Sequence, residues 1–225
     1  MCGRFALDFP ATVLSNWYNA ASIPELLPSY NVAQMSNILV IREAANKREG
    51  SLMRWGFVPH WTDTSKKPPL LINAKAETVA SKPIFKNVFR KQRCIIPASG
   101  FYEWQLLADK KNKQPYYISA NDGRPVSLAG IWERATIDDE IIQSCAILTT
   151  ECNELVSPIH DRMPVIISHE FLDAWLRPAD LTQDILEFLI QPYDSGKMQS
   201  WPVSPAVNNA RNQGEQLIQP IHLIP

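Results

Sequence analysis

Apolar residues in this sequence come in short runs, broken every few positions by proline, amide or charged side chains. Runs of that length, rich in β-branched and aromatic residues, predict strands rather than long helices. Asn37 to Arg42 (NILVIR) and Leu52 to Val58 (LMRWGFV) read as a hairpin across a charged turn, 43–50. Further strands are predicted at Arg93 to Pro97, Gly100 to Trp104, Pro115 to Ser119, Val126 to Trp132, Ile141 to Thr150 and Pro164 to Ser168. Residues 133–140 read as an acidic turn, and 60–69 and 155–163 as loops pinned by proline. Helical spacing occurs at 10–20 and at 83–92, where Phe85 and Phe89 stand four apart under a basic outer face. Ser168 is placed to cap a helix through Phe171, Leu172 and Trp175, and Asp180 with Gln183 resembles a capping box for Ile185 to Ile190. Pro24 and Pro28 keep the chain irregular ahead of the hairpin, and prolines and asparagines from Trp201 onward predict an extended tail over 206–225. No repeat or linker divides the chain. About eight short strands with helices at the margins indicate one α+β domain, its mainly antiparallel sheets curled into an open, barrel-like form.

Composition adds limits. A chain of 225 residues with 45% hydrophobic and 20% charged residues has a real core. No run of about 18 apolar residues offers a membrane span, and Asp8 and Pro10 interrupt any signal-peptide pattern. A cytoplasmic monomer is expected, nucleoid-associated when it meets DNA. The four cysteines include no C-x-x-C pair, and Cys94 and Cys145 sit inside apolar runs, so neither a metal nor a cofactor is expected.

Net charge is −1, but it is unevenly spread. From Lys66 to Arg93 there are eight cations and one acid, Glu77, which leaves −8 on the remainder. A local basic surface of this kind suits phosphate contacts, or else a solvated helix face. Trp55, Phe57 and Trp61 lie beside it and are candidates either for base stacking or for the core.

Candidate chemistry begins at Met1-Cys2-Gly3-Arg4-Phe5. A small second residue favours removal of the initiator methionine, which would leave Cys2 with an α-amine and a thiol on adjacent carbons. The amine, with a reference pKa of about 7.7 to 8.0, is partly neutral near pH 7. The thiol titrates near about 8.5, and Arg4 is placed to lower it. Such a pair can capture an aldehyde as an imine and then as a thiazolidine, or the thiol can attack an acyl carbon. Three further segments carry reactive groups. Asn73 opens NAKAET and can either donate into a site or cap the turn that follows. Glu103 lies among the rings of GFYEW, where burial would raise its pKa; alternation pairs it with Phe101 and leaves open which face is wet. His160 lies in SPIHDRMP, beside the phosphate-suited fork of Arg162, and can be an acid–base group or merely structural.

Together MCGRF, NAKAET, GFYEW and the H-DRMP loop, in this order over residues 1–205, resemble the SOS-response-associated peptidase (SRAP) family of abasic-site processing proteins. The resemblance implies that Cys2, freed of Met1, crosslinks to the ring-opened aldehyde of an abasic site in single-stranded DNA as a stable thiazolidine. It implies that Asn73 senses and holds the site, that Glu103 handles protons around the amine and imine, and that His160 assists ring opening and crosslink reversal. It assigns DNA contacts to Arg4, Trp61, Lys75, Glu77, Lys82, Lys86, Arg90 and Arg162. DNA-lyase activity and autoproteolysis of the methionine are also associated with the family. Lys75 departs from the arginine expected there and loses bidentate geometry. Two rivals stand beside this expectation: an N-terminal-nucleophile amidohydrolase or peptidase, and a passive single-stranded DNA-binding module with an idle Cys2.

Overall fold

The computed structural model describes residues 2–62 and 70–223; Lys66 and Lys67, counted above in the basic segment, lie outside them. In chain order the elements are β1 Arg4–Leu7, α1 Ala11–Tyr18, β2 Ala20–Ser22, β3 Ser29–Ala33, β4 Asn37–Ala44 and β5 Lys47–Trp55. Then come β6 Asn73–Lys75, α2 Ala76–Val79, α3 Pro83–Lys91, β7 Arg93–Ala98, β8 Gly100–Leu106, β9 Lys113–Ala120, β10 Val126–Ile137 and β11 Glu140–Glu151. The chain ends with β12 Arg162–Pro164, α4 Leu172–Leu176, α5 Gln183–Leu189 and β13 Met198–Pro202, followed by short 3-10 turns at Pro205–Asn208 and Glu215–Leu217. The class is α+β, as expected. Among the described residues no helix is long and apolar enough to cross a membrane.

One sheet has the order β13-β9-β8-β1-β3. The other runs β12-β11-β10-β7-β4-β5-β2, with β6 added alongside β11. Pairing is antiparallel except where β5 and β6 meet β11 and where β2 meets β5. The β5–β11 contact, Ser144 to Arg54 and Cys145 to Trp55, closes the curl of β11, β10, β7, β4 and β5 into a ring. The strands of this ring contribute Val40, Ile41, Trp55, Ile95, Ile96, Ile131 and Ile147 to the main core.

Several elements differ from expectation for identifiable reasons. The turns expected over 43–50 and 133–140 are each only two residues long. Ala45 and Asn46, and Asp138 and Asp139, take left-handed conformations, and paired αL residues match the twist of flanking antiparallel strands. The charged residues around them alternate along the strands: Glu133 and Ala135 are buried, Arg134 and Thr136 exposed. Leu172–Leu176 is a single helical turn preceded by 3-10 structure, and Ser168 makes no side-chain cap there. The cap of α5 is Thr182, whose hydroxyl accepts from the Ile185 N–H. The strand pairing with β11 is carried by Arg162–Pro164, starting two residues before the run from Pro164 to Ser168.

The expected C-terminal tail is instead structural. β13 pairs with β9, and Val203, Val207 and Leu217 form a second, smaller core with Ala6, Tyr102 and Tyr117. β1 and β8 therefore lie between two cores: Phe5 and Phe101 face the main one, Ala6 and Tyr102 the smaller. Gly100 permits this layering, since a Cβ there would fall 2.5 Å from both the Ile118 carbonyl oxygen and the Tyr117 ring.

Candidate functional site

Strand alternation decides the face of Glu103 that sequence left open. It shares the inward face of β8 with Phe101, while Tyr102 packs into the second core. Only 2% of Glu103 is exposed. Burial raises its pKa from 4.5 to about 7, since an ionised carboxylate loses hydration there.

Cys2 lies one residue ahead of β1, across Gly3, and is fully buried in the main core. Burial, followed by the nearby charge of Glu103, pushes its thiol well above the usual range. Arg4 lowers it only through its backbone N–H, an effect smaller than the rise from burial. The Arg4 side chain turns away, donating from Nη1 to Asn31 Oδ1 at 2.6 Å and to the Val207 carbonyl at 3.0 Å.

β6 runs parallel to β11, with Asn73 opposite Ile147. This places Asn73 beside the N-terminal segment, where its Nδ2 donates to the Cys2 carbonyl at 2.8 Å. Its Oδ1 is buried without a hydrogen-bond partner among the described residues, so an acceptor stands ready for a donor. Asn73 is the first residue of β6 rather than the cap of α2, whose N-cap is Lys75.

His160 reaches the same place from the 155–163 loop. Its Nε2 lies 3.9 Å from Glu103 Oε2. Its Nδ1 accepts from the Arg162 N–H at 3.0 Å. The Asp161 carboxylate lies 2.9 Å from the same nitrogen, but the backbone N–H cannot turn away, so Nδ1 is the acceptor and Asp161 acts through its charge. In the neutral ring the proton then resides on Nε2, facing Glu103. Burial lowers the His160 pKa.

The loop is held from outside the expected motifs. Asn153 Oδ1 accepts from the Val156 N–H at 3.0 Å and its Nδ2 donates to the Tyr193 carbonyl at 2.7 Å. Gln105, two residues beyond Glu103 on β8, donates to the Pro158 carbonyl at 3.0 Å. An asparagine just ahead of a proline-pinned loop is a turn-forming signal; nothing in the sequence marks Gln105.

The candidate DNA-contacting residues divide. Trp61 is 62% exposed, and Lys75, Lys82 and Lys86 are exposed, whereas Trp55 and Phe57 are buried. Arg90 is paired with Asp180, Nε to Oδ1 at 2.7 Å. Arg162 is paired with Glu77. Arg93, counted in the basic segment, is corrected: it is buried and donates to the carbonyls of Trp175, Phe89, Arg90, Arg177 and Ala179. A guanidinium supplies five donors on one rigid plane and so can knit α3 to the segment after α4. Among the described residues no cluster of three His, Cys, Asp or Glu side chains is placed to hold a metal ion.

The structure thus gathers Cys2, Asn73, Glu103 and His160 from four separate segments, with Glu77 and Arg162 alongside, while Arg4 engages Asn31 and Val207 and Arg90 engages Asp180. Known proteins resemble this chain in sequence and fold. A protein from Bacteroides thetaiotaomicron solved by X-ray crystallography superposes with a TM-score of 0.85 at 26% identity, covering 98% of this chain and 100% of that one. The abasic site processing protein YoqW of Bacillus subtilis is 41% identical over 97% of this chain and 99% of its own length. YedK of Escherichia coli, also named an abasic site processing protein, is 34% identical over 98% and 100%. HMCES of Mus musculus, of the same name, is 31% identical over 100% of this chain and 77% of its own. The model of one family, SOS response associated peptidase (SRAP), matches residues 1–210, a span that includes all four converging side chains, and the chain belongs to that family.

Proposed function

We propose that this chain processes abasic sites in single-stranded DNA, capturing them covalently through Cys2 once Met1 is removed. The observation that carries the reading is the convergence of a buried thiol on a carboxyl group that titrates near neutrality. Relatives named abasic site processing proteins, aligned over nearly the whole chain, support it.

The ring-closed sugar must first open. His160 is suited to deliver its Nε2 proton to the ring oxygen while the Glu103 carboxylate, 3.9 Å away, takes the proton of the C1′ hydroxyl and returns one to Nε2, so that neither group is left changed. The Cys2 amine then adds to the C1′ aldehyde. Glu103, protonated at a useful fraction near pH 7, gives its proton to the departing hydroxyl, and water leaves as the iminium forms. The thiol starts protonated because burial disfavours the thiolate. Its proton passes to the Glu103 carboxylate as the S–C1′ bond forms and the C=N electron pair returns to nitrogen. A thiazolidine and one water result, with Glu103 restored. Asn73 fixes the Cys2 carbonyl and keeps Oδ1 for the sugar or the amine. The strand itself falls to Trp61, Lys75, Lys82, Lys86 and Arg162. In this reading Arg4 and Arg90, engaged by Asn31 and Asp180, are scaffold.

The test mixes purified protein of verified N-terminal mass with single-stranded oligonucleotides that carry one abasic site or none. A heat-resistant adduct, seen by intact mass and denaturing gel with the abasic strand only, is expected from the wild type and not from Cys2→Ala. An adduct from Cys2→Ala overturns the mechanism. Turnover of small amides without DNA favours an amidohydrolase, and equal reversible binding of both strands favours a passive module.

A further inference from the structure

Arg162 is offered to DNA in the reading above, yet another anion already occupies it. Glu77 Oε1 accepts from Nη1 at 2.6 Å and Oε2 from Nη2 at 3.0 Å. The Thr149 carbonyl takes a further hydrogen of Nη2, at 2.6 Å. Both Nη2 hydrogens are therefore used, and Nε is buried. The paired edge of the guanidinium that would grip a phosphate in two-point fashion is the edge that Glu77 covers.

We propose that Glu77 is an internal stand-in for phosphate: it holds Arg162 in the free protein and must swing away for a DNA phosphate to take its place. This rests on Arg162 being a phosphate contact. Three observations identify Glu77 as the partner that moves. Its side chain is 38% exposed while that of Arg162 is 14% exposed, so the carboxylate lies on the solvent side of the pair. Arg162 is fixed by strand pairing with Glu151, by Thr149, and by its own N–H to His160. Glu77 stands on a helix of only four residues, with a flexible stem. The Arg162 hydrogen bonds also hold the Glu77 carboxyl below its usual range, so it stays a charged competitor that a permanently charged phosphodiester can replace and a neutral sugar or base cannot.

The stand-in lowers affinity for every single strand alike. Intact strands are then released, whereas an abasic strand is retained by the covalent step. Glu77 thereby shifts discrimination from binding to chemistry.

The test titrates an intact single-stranded oligonucleotide by fluorescence anisotropy across a salt series, against wild type, Glu77→Gln, Arg162→Lys and the double variant, each checked by thermal melting. Glu77→Gln is expected to bind about tenfold more tightly at low salt. Its plot of log affinity against log salt should steepen by about 0.7, one more phosphate neutralised on a single strand. Lysine cannot receive a phosphate in the same fork, so the gain should largely disappear in the Arg162→Lys background. Weaker binding by a stably folded Glu77→Gln, no change, or a gain of undiminished size in the Arg162→Lys background overturns the proposal; the last would be simple removal of a surface charge. Failure of wild type to form an adduct with an abasic strand would overturn the crosslinking reading instead, and the intact-strand titration would still decide the stand-in.

Discussion

Replacing Glu103 by glutamine should make the protein more stable at neutral and alkaline pH while impairing its chemistry. Glu103 is 2% exposed and its pKa is raised from 4.5 to about 7 by burial. The folded state therefore prefers the protonated acid. Its contribution is fully present below pH 4.5, declines between 4.5 and about 7, and is gone above. At about 1.4 kcal/mol per pH unit, the decline amounts to about 3 kcal/mol. Glutamine is uncharged throughout and nearly isosteric, so Glu103→Gln lacks this loss. The assay is urea unfolding followed by tryptophan fluorescence for both proteins at steps from pH 4 to 8.5. The wild-type stability minus that of the variant should fall by about 3 kcal/mol across the window and flatten above it, equivalent to roughly 6–12 °C in melting temperature for a chain of this size. Subtraction cancels every other titrating group that the substitution leaves alone. A difference that stays flat between pH 4.5 and 7, or rises, would show that the carboxylate ionises in the fold without penalty, and the proton-transfer role of Glu103 near neutrality would lose its physical basis.

Two other substitutions separate site from scaffold. Asn73→Ala removes the donor to the Cys2 carbonyl, and adduct formation with an abasic oligonucleotide should slow about tenfold with little change in melting temperature; a wild-type rate would remove Asn73 from the site. Arg93→Met strips partners from five carbonyls and should cost about 3–5 kcal/mol in urea unfolding. Single-strand affinity of the folded variant should be unchanged, and a loss of affinity at full stability would return Arg93 to the phosphate-binding face.

Much of the sheet was legible because its strands carry their own apolar signal. NILVIR, LMRWGFV, RCIIP, GFYEW and AILTT all lie within or overlap strands. What sequence concealed depends on partners far away in the chain. β1 is four residues of a terminal motif and β3 lies just past two prolines; both become strands by pairing with each other and, for β1, with β8. Residues beyond Trp201 were too rich in proline and asparagine to suggest structure, yet a few apolar side chains among them, Val203, Val207 and Leu217, suffice to close a second core. Charge could not be divided by sign alone. Lys86 and Arg93 look alike in the sequence, but one is solvated and the other is the internal tie of α3. The four converging side chains stood out in the sequence by their chemistry and motifs. Their meeting did not, because it requires β6 to lie against β11 and the 155–163 loop to be tied down by Gln105 and Asn153.

The link between Arg4 and Val207 spans 203 positions, and Asn31 reinforces it through the carbonyls of Val207, Asn209 and Asn212. Contacts that distant form late during synthesis, when the earlier parts of a chain are already collapsing. The strand that follows Cys2 thus receives its last support only after residue 212 has emerged from the ribosome. Until then the N-terminal segment lacks its full seat, and Cys2 is not yet fixed beside Glu103. In the proposed reading, timing of assembly built into the connectivity keeps the Cys2 nucleophile from its final seat until the domain around it is complete.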